Sequence, residues 1–238
     1  MSVIWHDLEC GAYAEDLPLW RDLAERYGNP VLELGAGTGR VTLPLARHGA
    51  RVTALELDRE LLEALQARAE GLQVDAVHAD ARDFELGRRF ALCIVPMQTV
   101  QLLGGPEGRR QCLRCVRRHL RPGGVAAFAI SAQLEPYELS VGAPTAPLPD
   151  IAEIDGVVYS SQPTAVREQR DGFVLVRRRE RVGGAGERTS SEDRIRLDRL
   201  TPEQLEDEAE AEGLQPAGRA EIARTREYVG SQVVLLGG

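Results

Sequence analysis

The chain has 238 residues, 43% of them hydrophobic, which is enough to build one substantial core. Its formal net charge of −8 repels phosphate backbones, so a general nucleic-acid binder is disfavoured. The sequence has no lysine, which removes Schiff-base chemistry, and no apolar run approaches the roughly 18 to 20 residues of a membrane span. We therefore expect a cytoplasmic protein without a membrane partner.

Alternating strands and helices are predicted over the first 131 residues. A polar and aromatic lead-in ends in the helix LPLWRDLAERYG, and a short apolar run then breaks into the glycine turn of VLELGAGTGR. The helix VTLPLARHG, the strand ARVTALELD and the helix RELLEALQARAEGL follow; a right-handed crossover makes the strands parallel. The strand VDAVHAD, the strand FALCIVPM, the helix GRRQCLRCVRRHL and, after the turn RPGG, the strand VAAFAIS bring the parallel strands to five.

The pattern changes after this point. A proline-rich passage, PYELSVGAPTAPLPD, leads to three alternating runs that predict an inserted antiparallel sheet: VVYSSQPTAVREQ, FVLVRRRERV and SEDRIRLDRL. A helix capped at Thr201 and two strands around AEIARTR and SQVVLLG return to the core. We therefore predict a helical lid over 1–30, a core over 31–132 and 197–238, and an inserted extension over 133–196.

The four cysteines give no strong metal signal. Only Cys112 and Cys115 have the C-x-x-C spacing, and no second pair lies nearby. Both lie in a helical stretch whose apolar stripe explains them, so we expect structural burial and no metal.

The glycine turn is the first functional signal. It follows the first strand, at the carboxyl end where open α/β sheets bind ligands, and Gly35 and Gly37 let the backbone approach a ligand closely. The spacing is G-x-G-x-G, and Arg40 takes the place of the third glycine in a dinucleotide fingerprint, which opposes a nucleotide-dependent oxidoreductase. Glu33 precedes Gly35 by two residues, where it can meet an ammonium group. The turn therefore favours an amino acid moiety over a pyrophosphate.

Acidic residues follow the next two strands. Glu56 ends the second strand, where it can accept hydrogen bonds from a ribose diol, and Asp58 is a nearby alternative. Asp80 and Ala81 end the third strand, where a carboxylate and a backbone N–H can meet an adenine ring. Each acid alone could be a helix cap or a solvated residue. Acids at three successive strand ends, Glu33, Glu56 and Asp80, together indicate a nucleoside-containing ligand.

These motifs resemble the class I S-adenosylmethionine-dependent methyltransferases over nearly the whole chain. VLELGAGTGR resembles the first motif of that family, TALELD its ribose-binding acid, HADARDF its adenine-contacting segment and HLRPGG the turn before its fifth strand. The resemblance implies a doubly wound α/β fold with a seven-stranded, mostly parallel sheet whose last strand is antiparallel. It also implies S-adenosyl-L-methionine as the donor, S-adenosyl-L-homocysteine as the product, and donor contacts at these residues: Tyr13, Glu33, Gly35, Ala36, Gly37, Glu56, Leu57, Asp80, Ala81, Pro96 and Met97. The region of Tyr13 and Trp20 resembles the lid over the donor.

The acceptor is less well defined. The family places residues beside the transferred methyl group in the segment VPMQTVQLL, where many small-molecule relatives have a histidine base; this chain has none there. The proline pair and aromatic residue of nucleic-acid amino-methylating relatives are also missing, so we expect a small-molecule acceptor and no nucleic acid.

Candidate catalytic residues are few. His6 is the one plausible histidine base, with Tyr13, Tyr159 and Gln98 as alternatives. We expect structural or capping roles for the remaining histidines: His48, His78 and His119.

The inserted sheet supplies the candidate acceptor contacts. Tyr159 and Arg167 on the sheet are candidates, together with Gln101 from the core. The sheet is expected to roof the acceptor pocket or to form a homodimer. The alternating Arg167, Arg177 and Arg179 favour a solvated strand face, while an inward arginine would indicate a carboxylate or phosphate acceptor. The leading hypothesis is a small-molecule N- or O-methyltransferase; the alternative is a catalytically silent donor-binding sensor or partner subunit.

Overall fold

The computed structural model of the chain describes residues 3–131, 134–139, 147–225 and 228–238. The helices are α1 (Val3–Cys10), α2 (Leu17–Tyr27), α3 (Thr42–Arg47), α4 (Arg59–Arg68), α5 (Gly105–His119) and α6 (Pro202–Ala211). The strands are β1 (Val31–Leu34), β2 (Val52–Glu56), β3 (Val74–His78), β4 (Phe90–Val95), β5 (Leu120–Ile130), β6 (Tyr137–Glu138), β7 (Asp150–Ile154), β8 (Val157–Gln169), β9 (Gly172–Val182), β10 (Arg188–Asp198), β11 (Gln215–Ile222) and β12 (Ser231–Gly237). A 3₁₀ helix, Thr99–Leu102, follows β4.

Parts of three predicted segments lie outside the described residues: the start of the lid at 1–2, the boundary at 132–133, and 140–146 in the proline-rich passage.

The main sheet has seven strands in the order β3-β2-β1-β4-β5-β12-β11. Strands β1 to β5 pair in parallel, and β12 is antiparallel to both β5 and β11. The strand order reverses at β1, so the glycine turn lies at the switch point where such sheets bind ligands. The predicted fold class is confirmed, including the antiparallel last strand.

The central strands of this sheet are buried on both faces. All residues of β1 and β4 are buried, as expected for mostly apolar strands with helices on both sides. On one face the fully buried Trp20 brings α2 into the core, and on the other Leu113 and Val116 do the same for α5. Among the helices of the described part, none is long and apolar enough to cross a membrane.

A second, antiparallel sheet is built from β6 to β10. Its order is β10-β9-β8-β6, and β7 pairs with β8 across a tight turn at Asp155 and Gly156. Both turn residues have positive φ, as a two-residue hairpin turn requires, and an Asp-Gly pair supplies this readily. The three predicted strands are present as β8, β9 and β10, while β6 and β7 were not predicted.

Three local features differ in detail from the prediction. The predicted helical region over 1–30 contains a separate first helix, α1, at Val3–Cys10, before the predicted helix. The strand predicted around AEIARTR lies earlier, at Gln215–Ile222, and residue 226 is outside the described part. The RPGG turn is looped out within β5, because the pairing with β4 is made at Leu120 and resumes at Val125.

Candidate functional site

The glycine turn brings its backbone close to two side chains. Gly35 and Gly37 have φ of 71° and 56°, in the left-handed region that favours glycine. A Cβ on Gly35 would stand 2.6 Å from the Thr99 methyl carbon, and one on Gly37 would stand 2.4 Å from His6 Nε2. Only glycine fits at either position, so the turn can be approached closely from the strand β4 side and from α1.

Glu33 is a buried carboxylate beneath this turn. Its side chain is 2% exposed and accepts a hydrogen bond from the hydroxyl of Thr42. Burial raises the pKa of Glu33 to about 8, although the bond from Thr42 opposes this rise. A cationic group entering beside Glu33 would stabilise its ionised form, which is the electrostatic complement of an ammonium ligand.

Glu56 ties the end of β2 to the glycine turn. One carboxylate oxygen accepts from the N–H of Gly37 at 2.8 Å, and the other accepts from Leu57 and Asp58, each at 2.9 Å. The carboxylate is 9% exposed and acts electrostatically on both Glu33 and His6. The structure therefore brings the predicted ribose-binding acid directly to the turn, while Asp58 caps α4 instead.

The end of β3 lies beside that of β2. The N–H of Ala79 donates to the Glu56 carbonyl, so Asp80, the next residue, lies close to the end of β2. Hydrogen bonds from the Arg82 guanidinium hold the pKa of the Asp80 carboxyl below its usual range. Ala81 packs against the core, and Leu57 is 56% exposed at the neighbouring strand end, an apolar side chain available to a flat ring.

Helix α1 lies against the glycine turn. The Thr38 hydroxyl donates to Asp7 at 2.6 Å and lies 3.3 Å from His6 Nδ1, while Arg68 on α4 forms an ion pair with Asp7. Burial lowers the pKa of His6, although the neighbouring Asp7 carboxylate opposes this. The imidazole is therefore neutral near neutral pH and can accept a proton.

The opposite side of α1 is bound to the second sheet. Arg179 makes two hydrogen bonds to the Glu9 carboxylate, at 2.7 and 2.8 Å, and Ser161 donates a third at 2.6 Å. Burial opposes ionisation, but these bonds hold the pKa of Glu9 below its ordinary value. Arg177 lies 3.5 Å from the same carboxylate. The favoured interpretation of Arg177 and Arg179 as a solvated face is therefore wrong; they face a carboxylate of the chain itself.

Tyr159 and Arg167, both predicted to contact the acceptor, lie in different surroundings on the second sheet. Tyr159 packs edge-on against Trp5 of α1, with ring centroids 5.4 Å apart, and so supports the helix from the second sheet. Arg167 is exposed and pairs with Glu138, apart from the charged cluster under α1. Among these three arginines, Arg167 is therefore the one that lies on a solvated strand face, and its role as an acceptor contact stays a prediction.

Tyr13 is held away from catalysis. It is 6% exposed, its ring packs on that of Tyr228 at 4.9 Å, and its hydroxyl is hydrogen-bonded with Ser231. Burial raises the pKa of Tyr13 to about 12, which disfavours an ionised phenolate near neutral pH.

Beside Tyr13, an unpredicted buried network fixes the start of α2. Arg40 forms a two-point ion pair with Asp16, at 2.6 and 2.7 Å, and donates to the Tyr13 carbonyl. The indole of Trp20 donates to the same carboxylate at 2.8 Å, so Trp20 is a core residue and not part of a lid. In the sequence, Arg40 directly after the glycine turn was the signal for this network, because a buried arginine needs a charged partner.

Two glutamines after β4 have structural partners. The Gln98 amide donates to the Ser131 hydroxyl at 3.0 Å. Gln101 is 1% exposed; its amide nitrogen donates to the Asp198 carbonyl and its oxygen accepts from the Ser131 N–H. Gln101 therefore joins the core to the second sheet, and its acceptor-binding role stays a prediction.

The remaining predicted donor residues line the strand ends. Ala36 is buried in the turn, Pro96 follows β4, and Met97 has an unusual positive φ of 55°. A non-glycine residue in this conformation costs about 1 to 3 kcal/mol and marks a backbone held by its surroundings.

One cavity lies away from the glycine turn, against the second sheet. A volume of about 920 Å³ opens between the start of α5, the β8–β9 hairpin and α6, bordered by Arg109, Asp198 and Glu208. These three side chains form a buried charge network that fastens α5 to α6. Helix α1 covers the glycine turn through its contacts with Thr38 and Gly37.

The residues present fit a donor with an ammonium group, a ribose and an adenine. The backbone can be approached closely at Gly35 and Gly37, a buried acid lies at Glu33, and hydrogen-bonding acids end β2 and β3. Within the described ranges, no group of three or more acidic, histidine or cysteine side chains is arranged to hold a metal ion.

Comparisons with known proteins agree with this geometry. A family described as a methyltransferase domain matches residues 31–124. The cypemycin N-terminal methyltransferase of Streptomyces sp is 37% identical over 99 residues, which cover 42% of this chain and 40% of that relative. The chain thus matches less than half of the length of this curated relative.

Solved structures align over almost the whole chain. An S-adenosylmethionine-bound amino pentose methyltransferase from Micromonospora echinaspora has a TM-score of 0.72 at 21% identity, covering 98% of this chain and 96% of its own. The glycopeptide N-methyltransferase MtfA, complexed with S-adenosyl-L-homocysteine, has a TM-score of 0.65 at 26% identity, covering 95% and 88%. The likeness includes the second sheet, which the domain match does not reach.

Proposed function

Because the chain carries a class I S-adenosylmethionine-dependent methyltransferase domain, we propose that the protein methylates a nitrogen atom of a small-molecule or peptidic amine. The observation that carries the donor assignment is the convergence of Glu33 and Glu56 on the glycine turn. The preference for nitrogen over oxygen rests on relatives that are named as amino pentose, glycopeptide and N-terminal methyltransferases. A small-molecule acceptor also accords with the acidic net charge.

The chain's residues divide the binding task. Glu33 neutralises the donor ammonium, the N–H groups of the turn and Glu56 hold the polar part of the nucleoside, and Leu57 covers the adenine ring. Bound S-adenosylmethionine supplies a methyl group on a positively charged sulfur. In-line alignment of acceptor and methyl can contribute about 7 to 11 kcal/mol to catalysis, so positioning is the main demand on the protein.

His6 is the proposed base for the acceptor. An amine attacks only after it has lost its proton, and the neutral imidazole of His6 lies at the glycine turn. Its Nδ1 is within reach of Thr38, and its Nε2 lies against the backbone of Gly37. Gln98 and Tyr13 are bound to Ser131 and Ser231 and are not assigned this role.

The test is turnover on paired acceptors. Purified protein and methyl-labelled donor are incubated with amino sugars and free-amine peptides, each matched by an analogue with a hydroxyl in place of the amine, and products are identified by mass spectrometry. Methylation of amines alone supports the proposal, while methylation of hydroxyls alone contradicts it. Glu56→Ala should abolish the activity, and Glu63→Gln, at an exposed position on α4, should leave it unchanged.

A catalytically silent donor-binding protein is the second candidate. Gln98 and Gln101 favour this candidate, because both amides are hydrogen-bonded within the protein. The segment VPMQTVQLL, which is expected beside the transferred methyl group, then has no glutamine free to act on an acceptor. Micromolar donor binding by calorimetry without turnover on any paired acceptor would support it.

We also propose a homodimer through the second sheet. Ile151 and Val158 are 62% and 37% exposed on the paired strands β7 and β8, and Leu148 nearby is 83% exposed. Analytical ultracentrifugation should give a dimer for the wild type and a monomer for Ile151→Asp; a monomeric wild type would contradict this.

A further inference from the structure

Five arginines line one cavity of about 550 Å³ on a chain of net negative charge. The cavity is lined by Arg89, Arg114, Arg117, Arg118 and Arg121, and the remaining lining residues include Leu120 and Pro122. Among the described lining residues, Glu212 is the only acidic side chain, and Gly238, the last residue of the given sequence, also borders the cavity. The lining therefore carries a strong local positive charge, opposite in sign to the molecule as a whole.

This basic cavity lies at the edge of the sheet opposite the glycine turn. Arg89 immediately precedes β4, and Arg121 lies near the start of β5. The glycine turn follows the carboxyl end of β1, parallel to β4, so the two sites are separated by about 20 Å of strand. The basic cavity is therefore distinct from the proposed donor site.

Backbone carbonyl groups, which carry no charge, hold two of these guanidinium groups in place. Arg121 donates to the carbonyls of Tyr27 and Asn29, at 3.0 and 3.3 Å, and Arg89 donates to the Leu120 carbonyl at 3.2 Å. Neither forms a salt bridge within the part of the chain that the structure describes. Their positions are fixed while their charges are uncompensated.

The end of α5 explains only part of the charge. Arg117 and Arg118 lie in its last turn, where cations favour the helix dipole. Arg118 donates to Cys115 Sγ, and Arg114 is shared between Glu107 and Glu212 at 3.6 and 3.8 Å. The dipole gives no reason for Arg89 and Arg121, which come from other elements and converge on the same cavity.

We propose that the basic cavity is a binding site for a compact polyphosphate group. Guanidinium groups bind phosphate oxygens in pairs, and several of them around one cavity match an anion with more than one phosphate. The described lining contains no aromatic ring on which a nucleobase could stack, so the recognised part is the phosphate chain. Binding is non-covalent and leaves the ligand unchanged.

The test uses inorganic tripolyphosphate as the probe. Its binding to the full chain is measured by calorimetry at low salt and again at about 0.15 M, where exposed charges are partly screened. Arg117→Gln/Arg118→Gln removes two lining charges without touching the carbonyl-bound arginines. Arg21→Gln/Arg178→Gln makes the same change in net charge at exposed arginines elsewhere. Circular dichroism verifies the fold of each variant.

We expect one tripolyphosphate per chain, bound at least about tenfold more weakly by the cavity variant and less than twofold more weakly by the control. Saturation with S-adenosyl-L-homocysteine should leave this binding unchanged. Equal weakening in both variants, several equivalent sites, or displacement by S-adenosyl-L-homocysteine would overturn the proposal. Tight binding of a glutamate-rich peptide in place of tripolyphosphate would also overturn it and would identify the cavity as a protein docking surface.

Discussion

Replacing Glu33 with glutamine should stabilise the ligand-free protein increasingly as the pH rises. Burial places the pKa of Glu33 at about 8, against an ordinary value of 4.5. Between these two values the folded protein keeps a proton that the unfolded chain has lost. The free energy of unfolding therefore falls as the pH rises through this window. Glutamine preserves the shape of the side chain and removes the charge, so it removes this loss.

The magnitude follows from the two pKa values. At 1.36 kcal/mol per pKa unit, raising the pH from about 5.5 to about 8 costs about 3 kcal/mol through Glu33. At 2% exposure the side chain has little solvent to screen it. Urea unfolding of wild type and Glu33→Gln across this pH range should show their stability difference growing by about that amount. Glu63→Gln, exposed on α4, should show a constant difference.

Donor binding provides an independent measurement of the same group. An ammonium beside Glu33 favours the carboxylate, so binding near pH 6.5 should release about one proton. Calorimetry in buffers of different ionisation enthalpy measures that number, which should vanish in Glu33→Gln along with much of the affinity. A stability difference that does not change with pH, together with no proton release, would refute the burial argument.

Three further perturbations test the turn and α1. Glu56→Ala should weaken donor binding about 100-fold and lower the melting temperature, since it leaves the Gly37 N–H unpaired; calorimetry and thermal unfolding check this. Gly37→Ala should destabilise through its φ of 56° and its clash with His6, and adding His6→Ala should recover part of the loss in urea unfolding. Arg179→Gln should cost about 1 to 3 kcal/mol, since Glu9 loses the charged hydrogen bonds from Arg179 but keeps Ser161 and the nearby Arg177, and a double-mutant cycle with Glu9→Gln should show coupling; additivity would contradict this.

The sequence predicted what depends on local pattern. Continuous apolar runs such as FALCIV could only be strands buried on both faces, and the positions of Glu33 and Glu56 relative to those strands placed both acids at one sheet edge. The helix cap predicted at Thr201 was similarly local and is present, within a capping box that Gln204 completes. These features need no knowledge of distant contacts.

What could not be predicted depends on long-range partners. Arg179 and Glu9 are 170 residues apart, and nothing near either one shows that a strand arginine will meet a helix carboxylate. Gln101 looked like a free polar residue at the acceptor end of the site, yet its partners lie 30 and 97 residues away. Alternation along a strand shows which residues share a face but not what that face covers.

Helix α1 is where these long-range contacts meet. Its Asp7 is bound to Thr38 and Arg68 on the donor side, and its Glu9 is bound to Arg179 on the second sheet. Since His6 occupies the space above Gly37, any ligand that approaches Gly37 as closely requires the imidazole to move. Helix α1, eight residues long, therefore contacts the donor turn on one side and the second sheet on the other, and both sets of contacts join residues far apart in the sequence.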